Sequence, residues 1–147
     1  MTRQLMHSPL PFIIWSKYTD IQEKARQEAI AVFGNESKDS IAIAEETKDM
    51  QYLNCIIKEV MRIAPAATNT TIHRLTEDTE IGSHVFPKGT DIIQDIYEIH
   101  HNPRVWNNTS EFRPERFLPG GEAENLALSG KGMAWLPFGN GARHASA

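Results

Sequence analysis

Residues 52–65 read YLNCIIKEVMRIAP, and the spacing within this stretch decides how the chain is to be read. Leu53, Ile56, Ile57, Val60, Ile63 and Ala64 recur at helical intervals and form one apolar face, which predicts a helix from about Thr47 to Ile63. Pro65 ends it, because proline lacks the amide hydrogen that a helix interior needs. Cys55, Glu59 and Arg62 fall on the other side. Glu59 and Arg62 are close enough along the helix for carboxylate and guanidinium to meet. On spacing alone, such a pair reads as a solvated surface contact worth roughly a few tenths of a kcal/mol.

Upstream, Asp20 precedes Glu23 in the pattern of a capping box, and Ile21, Ala25, Ala29, Val32 and Phe33 share one helical face. A helix is expected from about Ile21 to Phe33, with Gly34 as its C-cap. Residues 1–18 carry Pro9 and Pro11 and no clear period, so they read as a divergent N-terminal segment. Residues 35–45 read as a loop. Downstream, Thr70 to His73, Thr79 to Ile81 and Thr90 to Asp95 are short strand candidates rich in Thr and Ile, with turn residues in IGSHVFPKGT between them. IYEIHHNP reads as a short helix closed by Pro103. From Asn102 to Gly132 the sequence is loop-like, and irregular stretches of that length tend to carry function.

Within that stretch lies EFRPERF, residues 111–117, where Arg113 and Arg116 stand between the apolar anchors Phe112 and Phe117. The segment is either a solvated turn between buried rings or the carrier of a second arginine for Glu59 and Arg62. In the latter case the three would form a charge-assisted network. His100 and His101 are adjacent, so on a helix they face different ways and make a poor metal pair. No metal site or catalytic residue is assigned. The lone Cys55 excludes an internal disulfide and reads as a packing residue. The chain has 147 residues, 40% hydrophobic and 23% charged, in the globular range. A net charge of −4 without clustered Lys and Arg argues against nucleic acid as a partner. The longest apolar run, Pro9 to Trp15, is too short to span a bilayer and does not have the form of a signal peptide. The sequons at Asn35, Asn69, Asn107 and Asn108 are read as chance.

The order of these features carries more than any one of them. Glu-x-x-Arg on a helix is followed by a β-rich segment, then FRPERFLPG, then PFGNGAR at residues 137–143. In this order the chain resembles the C-terminal part of a cytochrome P-450, a haem-thiolate monooxygenase, over about residues 19–144. The resemblance implies a mainly α fold with a small β-rich segment, a partial cytochrome P-450 fold. Its parts are a helix pair, short β-hairpins, a meander and a haem-binding loop, with residues 19–147 as one piece of the monooxygenase domain.

The resemblance also implies that Glu59, Arg62 and Arg116 form a buried structural network. It implies haem as the cofactor, with Phe138, Gly139 and Gly141 against the porphyrin and Arg143 on a propionate. His73, in preference to Arg74, would serve as a second propionate partner. The family's axial cysteine is expected two residues after the arginine matched by Arg143, and that position is Ala145. The neighbouring His144 is not expected to replace it. Residues 1–18 hold no counterpart of the family's oxygen-activating helix. The expectation is a truncated monooxygenase-like chain, inactive as written. The alternative is a non-catalytic haem-binding or interaction protein derived from the family. A small organic substrate and a reductase are the partners implied for full-length members. Full-length eukaryotic members are commonly membrane-anchored facing the cytosol, whereas no membrane segment is seen in this chain.

Overall fold

The computed structural model describes residues 16–34, 44–124 and 134–139. The first helix, α1, runs Thr19–Phe33. Asp20 does not cap it. The amide of Gln22 already bonds the carbonyl of Tyr18, so Tyr18 is the N-cap and Asp20 lies within the first turn. There its carboxylate faces the positive end of the helix dipole. Gly34 closes α1 as expected, at φ 78°, with its amide on the carbonyl of Ile30.

The single helix expected from Thr47 is two helices, α2 over Ala44–Asp49 and α3 over Gln51–Ile63, broken at the buried Met50. The break has a partner in α1. Glu28 Oε1 and Oε2 accept the amides of Tyr52 and Leu53 at 2.7 and 2.8 Å. A carboxylate from another helix thus satisfies donors that a helix start leaves open. The burial of α3 also differs from the expected pattern. Ile57 is 45% exposed, while Cys55, Glu59 and Arg62 are buried with Ile56 and Met61. The polar side of the helix therefore faces inward, because the segment around EFRPERF supplies partners for its charges.

Four short strands follow: β1 His73–Arg74, β2 Thr79–Ile81, β3 His84–Phe86 and β4 Asp91–Ile92. They form two antiparallel pairs, β1 with β4 and β2 with β3. Strand β3 lies where only turn residues were expected. The tight turn at Gly82 and Ser83 returns the chain so that Thr79 meets Phe86 and Ile81 meets His84. The first and last expected strands are shorter than their sequences suggested, with an isolated bridge between Asn69 and Asp95 continuing the β1–β4 pairing. Helix α4, Ile96–His100, starts on an Asp95 cap that accepts the amide of Glu98 at 3.0 Å. Within the expected loop, Pro114–Phe117 forms a 3₁₀ turn, with proline at a position where its missing amide hydrogen costs nothing. The fold is mainly helical with a small antiparallel β segment.

The core holds Ile21 and Ala25 of α1, Ile56 of α3 and Phe112, with Tyr18, Tyr52, Val60 and Ile63 packed around them. A second group of rings joins Trp106, Phe117 and Trp135, with centroids 5.8 and 5.4 Å apart in that order. Between the two groups sit the charges of α3. No helix among the described residues is long and apolar enough to cross a membrane.

Candidate functional site

Helix α3 projects Glu59 and Arg62 from successive turns into the space closed by the 3₁₀ turn, which brings Arg116 to the same place. Glu59 and Arg62 are 0% exposed and Arg116 is 1% exposed. Arg62 donates from Nε and NH2 to the two carboxylate oxygens of Glu59, at 2.8 and 2.9 Å. Arg116 Nε donates to Glu59 Oε1 at 3.3 Å, and the backbone amide of Arg113 donates to the same oxygen at 3.0 Å. The remaining donors find backbone carbonyls. Arg62 NH1 reaches His100 O at 3.0 Å, and Arg116 NH2 reaches Asn108 O at 2.7 Å. Both arginines also reach Glu111 O, at 3.3 and 3.4 Å.

A second carboxylate, Glu122, completes the charge balance. It accepts Arg116 NH1 at 2.5 Å, Arg113 NH2 at 3.0 Å and the amide of Asn107. Burial alone would raise its pKa. The Asn107 amide and the guanidiniums of Arg116 and Arg113 outweigh that and hold it below the usual carboxylate range. The buried Glu59 and the half-buried Glu122 therefore face two buried guanidiniums, with the partly exposed Arg113 at the edge. Sequence spacing had offered a surface pair or a three-member network. Glu122 carried no motif to mark it, and the backbone contributions of His100, Asn108 and Glu111 leave no trace in side-chain patterns.

The network continues towards the last described segment, residues 134–139. The Arg62 guanidinium carbon lies 5.6 Å from the centroid of the Trp106 ring, within cation–π range. Trp106 Nε1 donates to Ala134 O at 3.2 Å. The amide of Leu136 donates to His100 Nε2 at 2.8 Å. The fully buried His100 is held neutral. Burial pushes its pKa down to about 4, with His101 and Arg62 adding to the shift and the carbonyls of Arg62 and Met61 opposing it. Because Nε2 accepts, the ring proton is assigned to Nδ1, which has no partner among the described residues.

The other expected site residues fall in three places. Phe138 and Gly139 close the 134–139 segment, half-buried. Gly139 has φ 75°, its amide bonds Leu136 O at 3.3 Å, and no atom of the described residues lies within 4 Å of where a Cβ would stand. His73 is exposed on β1, with Nε2 3.4 Å from Thr71 Oγ1. Its neighbour Arg74 is engaged by Asp91 through two bonds of 2.7 and 2.8 Å. Gly141, Arg143, His144 and Ala145 lie outside the described residues. Of the features a porphyrin would need, the described residues offer an open-sided turn at Gly139, an exposed imidazole at His73 and a buried Trp135 Nε1 with no partner among the described residues. No cluster of three or more metal-ligating side chains occurs among the described residues.

Comparison with known proteins places this geometry. The sequence model described as Cytochrome P450 matches residues 12–144. Among curated relatives, 2-hydroxyisoflavanone synthase of Glycine max is 37% identical over 126 residues, which cover 84% of this chain and 23% of that protein. Vinorine hydroxylase of Rauvolfia serpentina is 34% identical over 124 residues, covering 84% of this chain and 25% of that one. A cyanobacterial cytochrome P450 bound to retinoic acid superposes with a TM-score of 0.81 at 29% identity, over 97% of this chain and 31% of that structure. A zebrafish cytochrome P450 with progesterone gives 0.74 at 28% identity, over 92% and 28%. The chain spans about a quarter of the length of the curated relatives it matches.

Proposed function

The chain belongs to the cytochrome P450 family, and on that premise we propose that it carries the haem-side scaffold of a monooxygenase without the sulfur donor that the reaction needs. The buried arrangement of Glu59, Arg62 and Arg116, tied to backbone on both sides, supports the structural half of this reading. In it, the network fixes the meander against α3 so that the chain after Ala134 approaches the porphyrin at a set distance.

Phe138 would pack beside the macrocycle, and Gly139 and Gly141 would let the backbone pass close to it. Arg143 would pair with one propionate through a two-pronged contact that suits a carboxylate. His73 is the second propionate partner in this proposal, because Arg74 is already held by Asp91. When bound, haem supplies oxygen chemistry to a full-length family member. Such members take a small organic substrate and electrons from a reductase, and these are the partners proposed for any longer protein built on this scaffold.

The second half of the proposal rests on one residue. Ala145 stands where the axial cysteine is expected, and a methyl group has no donor atom to offer iron. The expected result on titrating the purified chain with haem is saturable binding without a thiolate-type ferrous carbon-monoxide spectrum. Ala145→Cys is expected to introduce that spectrum. A thiolate-type signature from the native chain, or hydroxylation by it in the presence of a reductase, would refute the proposal of inactivity. Absence of any saturable haem binding would refute the scaffold reading.

A further inference from the structure

We infer that His100 is a positioning residue, whose Nε2 holds the backbone leading into Phe138 and Gly139 in register with the buried charge network. The functional meaning of that register rests on the haem-side reading above, but the coupling itself stands on contacts of this chain alone. His100 is engaged at both ends. Its carbonyl accepts Arg62 NH1 at 3.0 Å, and its ring accepts the amide of Leu136 at 2.8 Å. Pro137 has no amide hydrogen, so Leu136 offers the last N–H before Phe138. Trp106 makes the companion tie, through Ala134 O, and its ring also rests on Arg62. Any shift of Arg62 is thereby felt at two neighbouring points of the 134–136 backbone.

The tie requires an acceptor. A proton added at Nε2 would face the N–H of Leu136 and break the contact. The charged and titratable groups facing the ring are Arg62 of α3 and His101 on its own helix, both opposing that proton. The 134–139 segment brings no ionisable side chain to it. Packing alone would ask for a ring of this size and not for a nitrogen lone pair, and that difference can be tested.

The measurement is amide exchange of the full chain, reported as protection relative to the unstructured rate. His100→Gln presents an amide oxygen near the Nε2 position, whereas His100→Phe fills the space without an acceptor. Leu136 is expected to lose roughly tenfold protection in H100F and to stay within about threefold of native in H100Q, with Ile56 in the α3 core unchanged in both. Native Leu136 is also expected to lose protection as pH falls towards about 4, a step absent from H100Q. Equal protection of Leu136 in native and H100F overturns the inference, as does equal loss in H100F and H100Q. Should H100F fail to fold, the pH comparison between native and H100Q decides alone: a shared acid step overturns the inference. Haem titration of the same samples separates the two claims. A chain that shows the exchange pattern but binds no haem keeps the tether and loses the haem-side reading.

Discussion

Replacing Glu59 by glutamine changes one oxygen to an amide nitrogen, yet it should cost more than almost any other single substitution in this chain. The native carboxylate accepts four bonds: two from Arg62, one from Arg116 and one from the Arg113 amide. Glutamine keeps one acceptor oxygen and turns the other position into a donor facing a guanidinium donor. The substitution also removes the one fully buried carboxylate of the network and leaves its two buried guanidiniums with the half-buried Glu122. An uncompensated buried charge of this kind costs about 3–5 kcal/mol. Single domains are stable by only about 5–15 kcal/mol, so such a loss removes a large share of the chain's stability.

The control is Asp91→Asn. Arg74 and Asp91 make a two-bond contact of 2.7 and 2.8 Å, matching the 2.8 and 2.9 Å of Arg62 and Glu59, but at 70% and 42% exposure instead of 0%. Water screens that pair, and its loss should leave the unfolding midpoint within experimental error. The assay is urea unfolding followed by tryptophan fluorescence, because Trp106 lies against Arg62 and should report the network's opening. If Glu59→Gln and Asp91→Asn shift the midpoint equally, burial is not what sets the strength of these pairs, and the reasoning fails.

Acid should weaken the fold through His100. Its pKa falls from 6.5 to about 4 on folding, so the unfolded chain binds more protons between those values; its contribution is full above pH 6.5 and fades as pH falls to about 4. The loss from this residue is at most about 3 kcal/mol, and a pH series of urea midpoints that is flatter in His100→Gln than in the native chain would show it. Gly121→Ala should disturb the 3₁₀ turn, because a Cβ there would stand 2.6, 2.7 and 2.9 Å from the carbonyl oxygens of Arg116, Leu118 and Glu115. The expected cost is about 1–3 kcal/mol. Gly139→Ala meets no atom of the described residues within 4 Å and should cost the left-handed backbone penalty, about 1–2 kcal/mol, so thermal shifts that rank Gly139→Ala well above Gly121→Ala would contradict the steric argument.

The parts of the fold legible in the sequence were those set by local rules. Helix α1 with its Gly34 stop, strand β2 and the stop of α3 before Pro65 all follow from periodicity and backbone chemistry within a few residues. The errors came where a distant residue decided. Nothing near Met50 announces a break, because the carboxylate that caps α3 is Glu28, on another helix. The strand at His84–Phe86 was hidden inside a run of turn residues and exists by pairing with Thr79–Ile81. At the site, the spacing of Glu59 and Arg62 put the pair within reach but could not tell a wet pair from a dry one. That depends on Arg116, more than fifty residues on, and on backbone carbonyls, which every residue possesses and no sequence pattern marks.

The arrangement of donors bears on how the charged centre of this chain can hold independently of the segment that follows it. Arg62 and Arg116 direct their bonds to the protein itself: two carboxylates and the carbonyls of His100, Asn108 and Glu111. None of these contacts passes through Phe138 or Gly139. Among the described residues, the network is therefore closed on its own acceptors. The described link to the 134–139 segment is weaker and of a different kind: one hydrogen bond from Trp106, one to His100 and the ring contact of Phe117 with Trp135. Ordinary hydrogen bonds of this sort contribute about 1 kcal/mol each, against several for a broken buried ion pair. Loss of the Trp106 or His100 contact should therefore loosen the 134–139 segment without opening the charged centre of the fold, whereas a substitution at Glu59 can open that centre with both contacts' residues in place.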